Sequence, residues 1–322
     1  MQPLWKQFLE QRGFVVTNTL GVDRAFAARP DVDPSATRCV DLNHLTAMQL
    51  IGPDASTFLQ GYLTCDLTAL EPSRALLGAY CNIKGRVVAD AAVLLTQDHP
   101  TLVMHGSLRD TVTSSLRKYL AFSRSKFAPA ESGPILLGIV NPRDPALPSA
   151  PLTVSPFRGG SAVALPGDTR RVLLLLPPDA ATTTWLEYEA RTETADAAFW
   201  DLLDVRAGIA HVCAVTSETF LPQMLDYDRL GAVSFTKGCY LGQEIVARTQ
   251  HLGRPKRHLH ALTWRGTPMP AIGEALNNAD GSRAGTLVNA APTGPDGGEA
   301  LAVLNDAVEG PLHAGTVEFA LQ

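Results

Sequence analysis

One thiol, Cys239, stands in the segment Phe235-Thr236-Lys237-Gly238-Cys239-Tyr240-Leu241-Gly242-Gln243-Glu244. A cysteine acts as a nucleophile through its thiolate, which a neighbouring cation or a helix N-terminus stabilises. Lys237 offers the cation, and the backbone N–H groups of the turn that follows offer the helix end. Gly238 gives backbone freedom that aims the sulfur, and Gly242 removes a side chain where another group could approach closely. The competing reading is a surface helix whose cysteine is a small filler. From the residues alone both readings stay open.

The element that carries this segment is legible. Leu241, Ile245, Thr249 and Leu252 recur at near-helical spacing, Glu244 and Arg248 stand four apart in the favourable order, and Gly253 with Pro255 is a stop signal. Upstream, the pattern predicts a strand at 46–51 and a helix through Phe58 and Leu59. Strands at 75–81 and 86–95 are joined by the hairpin connection Asn82-Ile83-Lys84-Gly85. Another strand at 102–105 leads to a helix over 108–120, then strands at 135–140, 162–165 and 172–176. Residues 141–160, rich in Pro, Gly and Ser, read as a long loop, and 197–205 as a helix. Hairpins mixed with helices indicate α+β with mixed antiparallel sheets, not a parallel doubly wound sheet. Beyond Pro255 short strand-like pieces at 258–264, 285–288, 300–304 and 315–319 alternate with Gly/Pro/Asn clusters, the cue for a small β-barrel. The expected division is 1–253 and 254–322.

Composition narrows the function. A chain of 322 residues with 45% hydrophobic and 18% charged content is an ordinary globular sequence. Its net charge of −5 argues against direct nucleic-acid binding, which relies on basic surface. The five cysteines are odd in number and scattered, and neither they nor the histidines have metal-ligand spacing, so no stable metal is expected. No signal-peptide core or spanning run is present, which predicts a cytoplasmic protein with no membrane association. There is no G-x-S-x-G, Walker or G-x-G-x-x-G motif to support a hydrolase, NTPase or dinucleotide enzyme. Trp200 reads most simply as a core residue, Asp90 and Asp226 as solvated carboxylates, and Arg206 as a partner for nearby Asp204 or Glu218.

The run Lys237-Gly238-Cys239-Tyr240-x-Gly242-Gln243-Glu244 resembles the signature of the YgfZ-type folate-binding proteins, relatives of the aminomethyltransferase (T-protein) of the glycine cleavage system. The likeness extends through Phe220-Leu221-Pro222-Gln223-Met224, Gly231-Ala232-Val233-Ser234-Phe235 and Val246-Ala247-Arg248. It continues more loosely through Gly78–Arg86 and Leu50–Asp54. It implies a T-protein-like folate-binding body followed by a small C-terminal β-barrel. Tetrahydrofolate or a one-carbon derivative would be the cofactor, with iron–sulfur client or assembly proteins as partners. It also places Trp200 on the folate wall and Leu45 where the family has a second tryptophan. Arg206 stands where the T-protein pattern is acidic, and could hold a carboxylate of the glutamyl tail. On this reading Cys239 faces the folate cavity or its mouth as the reactive group, with Lys237 favouring its anion, and Gln243 and Glu244 brace the loop. The alternative is a folate-dependent aminomethyl- or methyltransferase.

Overall fold

The structure, a computed structural model, describes residues 2–12, 14, 35–253, 255–306, 308 and 310–322. Arg254, within the expected division near residue 253, lies outside the described residues.

Two sheets and a barrel make up the structure. The first sheet has six strands in the order Glu193–Ala195, Arg38–Asp41, Ile135–Val140, Arg171–Leu176, Gly160–Leu165, Val154–Phe157. All its pairings are antiparallel except that of the first two strands. The second has five strands, Leu76–Cys81, Val87–Thr96, His99–His105, Leu45–Ile51 and Lys126–Phe127, all paired antiparallel. Six further strands between Arg257 and Leu321 close into a barrel. The α+β class with a small C-terminal barrel is therefore observed. No helix among the described residues is long and apolar enough to cross a membrane.

The central strands are continuous aliphatic runs because both of their faces are covered. Ile135–Val140 and Arg171–Leu176 are buried at every position, as expected for strands enclosed on two sides. One face packs on the helices Pro3–Gln11 and Pro178–Glu189 through Trp5, Leu9, Ala181 and Trp185. The other meets the second sheet, with Val140, Leu173 and Leu175 against Leu94 and Val103, and Trp200 and Leu203 alongside.

Several elements differ from the expectation. The 141–160 stretch is not all loop: Val154–Phe157 forms an edge strand, the place where a sheet tolerates a residue such as Pro156. The helix Pro178–Glu189 escapes the pattern because its run of Ala and Thr carries a weak apolar stripe. The signature helix starts later than its first glycine suggests, at Gln243.

Candidate functional site

A cavity opens where the two sheets and the barrel meet. Trp200, Leu45, Leu173, Val103, Met104 and Ile209 build its apolar wall, and His44, Asp90, His105, Asp201, Asp204 and His211 its polar groups. Trp200 lies on the helix Ala197–Arg206, whose start is capped by Asp196 accepting the Phe199 N–H at 3.0 Å, a cap worth about 1 kcal/mol. The indole is 2% exposed and rests on Gly138 of the first sheet, where a Cβ would come within 2.4 Å of the ring. The Arg171 guanidinium stands 5.0 Å from its centroid. Trp200 is thus a core residue that also walls the cavity.

The same helix ends in a Schellman turn. The Gly208 N–H bonds the Val205 carbonyl and the Ile209 N–H the Asp204 carbonyl, each at 3.0 Å, with Gly208 at φ +66°. This turn sends Ile209–Cys213 back along the cavity wall. His211 is then fastened to the barrel: its N–H donates to Asn289 Oδ1 at 2.9 Å, and Asn289 Nδ2 returns a bond to its carbonyl at 3.2 Å. A bulge between Leu287 and Asn289 in the strand Arg283–Gly294 lies at this contact.

Four charged groups form a chain from this point. His211 Nδ1 is 2.7 Å from Asp90 Oδ2 and its Nε2 is 3.5 Å from Asp204 Oδ2; Arg171 Nη1 bonds Asp204 Oδ1 at 2.7 Å. Asp90 Oδ1 also accepts the Val212 N–H at 2.7 Å. Burial pushes the Asp204 carboxyl up, but Arg171 and then His211 outweigh it and hold it at about 2. For His211 burial favours the neutral ring, and the carboxylates of Asp90 and Asp204 outweigh it, raising the imidazole well above its ordinary value. The His211 side chain keeps 39% exposure at the cavity, so desolvation is partial and the charge pairing dominates.

The structure separates the signature loop from this cavity. Cys239 is exposed and does not line the cavity wall, so of the two expected places, the cavity or its mouth, its sulfur does not take the first. The ten-residue helix begins four residues after it, and a helix dipole acts only over about the first turn. Lys237 is buried, and its Nζ donates to the carbonyls of Gln60, Leu63 and Cys65 at 2.8, 2.8 and 2.7 Å. Its ammonium therefore ties the loop to the C-terminal end of the helix Ala55–Gln60. The thiol it stabilises electrostatically is Cys65, although burial prevails there and raises that group to about 11. Tyr240 is buried with its ring centroid 5.3 Å from the Lys237 Nζ.

The remaining signature residues are structural in their contacts. Gly238 is exposed, does not have a positive φ, and has nothing within 4 Å of the place its Cβ would take; it does not set a left-handed angle. Gly242 is at φ +83°, and what approaches it is the hairpin turn at Asn82 and Gly85. Glu244 is exposed and pairs with exposed Arg248 at 3.3 Å, a helix-surface pair and not a brace of the loop. The Gln243 N–H donates to the Tyr240 carbonyl at 3.2 Å.

Leu45 and Trp200 share the cavity wall, but Arg206 does not join them. Its guanidinium spans to the barrel and binds Glu299 in a two-oxygen fork at 2.6–3.1 Å. The expected partners Asp204 and Glu218 are replaced by Glu299, which leaves the guanidinium committed and unsuited to a glutamyl tail. Asp90 and His211 had no sequence pattern to unite them, standing 121 positions apart. One signal was present: Asp90 is the single charged residue inside the otherwise apolar run from Val87 to Leu95.

The whole chain superposes on the glycine cleavage system aminomethyltransferase T from Bartonella henselae with a TM-score of 0.77, covering 100% of this chain and 96% of that one at 16% identity. That likeness fixes the fold. Residues 34–145 match the GCVT N-terminal domain family. Proteins named tRNA-modifying protein YgfZ are similar over most of their length. The one from Yersinia pseudotuberculosis is 31% identical over 278 residues, 82% of this chain and 84% of that protein. The one from Pectobacterium carotovorum is 29% identical over 82% and 83%, and that from Colwellia psychrerythraea 33% identical over 70% and 71%. The chain belongs to the YgfZ family. The YgfZ fold here holds two separate features: a cavity with a carboxylate–imidazole network, and an exposed thiol on a loop anchored by Lys237.

Proposed function

We propose that this protein binds a reduced folate in the cavity between its sheets and barrel. The observation that carries this reading is the union of a flat apolar wall, Trp200 with Leu45, and a buried carboxylate network at Asp90, Asp204 and His211. A reduced pterin is a flat ring system edged with N–H donors, and such a ligand needs both an aromatic or aliphatic surface and acceptors. An ionised carboxylate has about four acceptor sites; Asp90 uses one on Val212 and one on His211, and the buried Tyr227 hydroxyl lies against it as well. The remaining acceptor capacity therefore fits a donor edge. Trp200 and Leu45 orient the rings, Asp90 holds the donor edge, and His211 and Val212 fix the Asp90 rotamer. A bound tetrahydrofolate supplies a nitrogen able to carry one-carbon units.

For the cellular role we draw on the relatives' name, which refers to tRNA modification, and on the resemblance to proteins tied to iron–sulfur clients. In this reading the folate-bound protein supports tRNA modification in the cytoplasm, and the exposed Cys239 is the thiol presented to an iron–sulfur client or assembly protein. Complementing a bacterial strain that lacks its YgfZ with wild type or Cys239→Ser, and quantifying modified nucleosides in bulk tRNA, tests it. Equal restoration by the serine variant would remove the thiol from the role. A second reading, one-carbon transfer from a lipoyl-bound aminomethyl donor, is favoured by Asp90: an acid lies in the cavity although Arg206 is not one. A direct assay of that transfer distinguishes the two.

The binding claim is tested by titrating tetrahydrofolate against intrinsic tryptophan fluorescence. Saturable quenching that Trp200→Phe largely removes is the expected result. Absence of quenching in the wild type, together with no retention of ligand in equilibrium dialysis, would overturn it.

A further inference from the structure

We infer that a second site, independent of the folate reading above, lies in a groove between the two sheets, where Arg109 takes the carboxylate of a small organic acid. The groove holds about 400 Å³, a volume suited to a small ligand, and shares no wall residue with the Trp200 cavity. Ala47 and Gln49 reach it from the strand Leu45–Ile51, and Ser161 and Leu175 from the first sheet. Pro129 and Pro134 come from the segment that connects the sheets. Arg109 opens the helix Arg109–Leu120 and lines both this groove and the one adjoining it. Its Nη1 is used inside the protein, donating to Thr46 Oγ1 at 2.8 Å and to the Ala47 carbonyl at 3.3 Å. Those two bonds hold the guanidinium in place. Nε and Nη2 have no partner among the described residues, yet neither atom is sealed from solvent. An Nε–H beside an Nη2–H is the fork that a carboxylate meets with both oxygens.

The charge on Arg109 is also uncompensated. The residue is half-buried and makes no ion pair among the described residues. Burial draws its pKa down, and the carboxylates of Asp110 and Glu131 offset this only in part. A half-buried cation without a paired anion is costly, and a ligand anion recovers that cost. Charge then chooses between oxyanions. One guanidinium balances a monoanion, while Glu131, exposed on the same groove, opposes the second charge of a phosphate. The prolines and Leu175 give the body of the acid an apolar surface. A carboxylate on a short branched chain therefore fits better than inorganic phosphate.

Isobutyrate is the probe, with isobutyramide as its neutral counterpart and inorganic phosphate as the competing anion. Each is titrated into the full-length protein by ligand-observed NMR at constant ionic strength, with and without saturating tetrahydrofolate. Arg109→Leu, Arg109→Lys and Glu131→Gln are treated alike, with circular dichroism and thermal melts confirming each fold. The expected result is saturable binding of isobutyrate, roughly tenfold tighter than isobutyramide because the contact is charge-assisted. Arg109→Leu is expected to abolish that preference, and Arg109→Lys, which keeps the charge without the fork, to retain part of it. Glu131→Gln is expected to tighten isobutyrate by roughly twofold. If Arg109→Leu does not fold, the other two variants decide. Displacement of isobutyrate by tetrahydrofolate puts the acid in the Trp200 cavity and overturns the assignment. Tighter binding of phosphate, equal binding by the arginine variants, or no saturable binding of isobutyrate overturns it too, and each leaves the folate reading intact.

Discussion

Gly242 stands directly against Asn82: a Cβ on Gly242 would come within 2.3 Å of the Asn82 carbonyl oxygen and 3.1 Å of the Gly85 Cα. The contact is reciprocal, since a Cβ on Gly85 would meet Ile245 at 3.0 Å. The hairpin turn and the N-terminus of the signature helix therefore fit only as two glycines. Gly242→Ala carries a left-handed backbone cost plus a clash with main chain, and is expected to lose about 2–4 kcal/mol of stability. Gly238→Ala, with nothing within 4 Å and no positive φ, is expected to change stability by less than about 0.5 kcal/mol. Urea titrations of the two variants check the contrast.

Lys237 is a buried staple. Lys237→Met keeps the length of the side chain and removes the donors to three carbonyls. The expected cost is about 2–4 kcal/mol, because buried acceptors are left unmatched. Activation of Cys239 by Lys237 would instead show as slower alkylation of Cys239 at unchanged stability. Denaturation and alkylation kinetics on the same variant separate these outcomes.

Native labelling is expected to find a single thiol. Cys39, Cys65, Cys81 and Cys213 are buried and Cys239 is exposed; burial raises Cys65 to about 11 and Cys81 to about 12. Brief treatment with iodoacetamide followed by peptide mass spectrometry should modify Cys239 before any other. Labelling of a second cysteine at a comparable rate would contradict the packing described.

Stability should depend on pH through the network beside the cavity. Asp204 sits at about 2 in the folded protein against 3.8 for a free carboxyl. Its stabilisation, about 2 kcal/mol, is present above that free value and lost as pH falls toward 2. His211 is raised, so its contribution is complete below about 6.5 and fades as pH rises through the elevated folded value. A plateau between about 4 and 6.5 is therefore expected in chemical denaturation, falling on both sides. His211→Asn should flatten the alkaline limb and reduce the acid one in part, since Arg171 still lowers Asp204 when His211 does not. Breaking the buried Arg171–Asp204 pair with Arg171→Leu is expected to cost about 3–5 kcal/mol.

Arg206 and Glu299 join the helix Ala197–Arg206 to the barrel, but the arginine side chain is 48% exposed. Arg206→Ala is expected to cost under about 1 kcal/mol and to leave tetrahydrofolate affinity unchanged. A large loss of affinity would return Arg206 to the ligand site.

What was legible in the chain followed local pattern. The aliphatic runs of Ile135–Val140 and Arg171–Leu176, the hairpin at Asn82–Gly85 and the helices Arg109–Leu120 and Ala197–Arg206 announce themselves through residue type and period. Val154–Phe157 did not, because proline and glycine mask an edge strand, and neither did Pro178–Glu189, whose threonines favour other states. In the site, Trp200 and Leu45 were indicated by resemblance. The pairing of Asp90 with His211, and of His44 with Asp201, arises only when distant segments meet across the cavity. Local charge misled at Cys239: a lysine two residues away looks like an activator until its ammonium is seen bound to carbonyls elsewhere.

A crystal structure of the protein with tetrahydrofolate tests most directly whether a reduced folate occupies the cavity walled by Trp200, with its donor edge on Asp90. The expected result is pteridine density packed against Trp200 and Leu45, with a ring N–H within hydrogen-bond distance of Asp90. Density for the ligand elsewhere, or an empty cavity at saturating tetrahydrofolate, would contradict it.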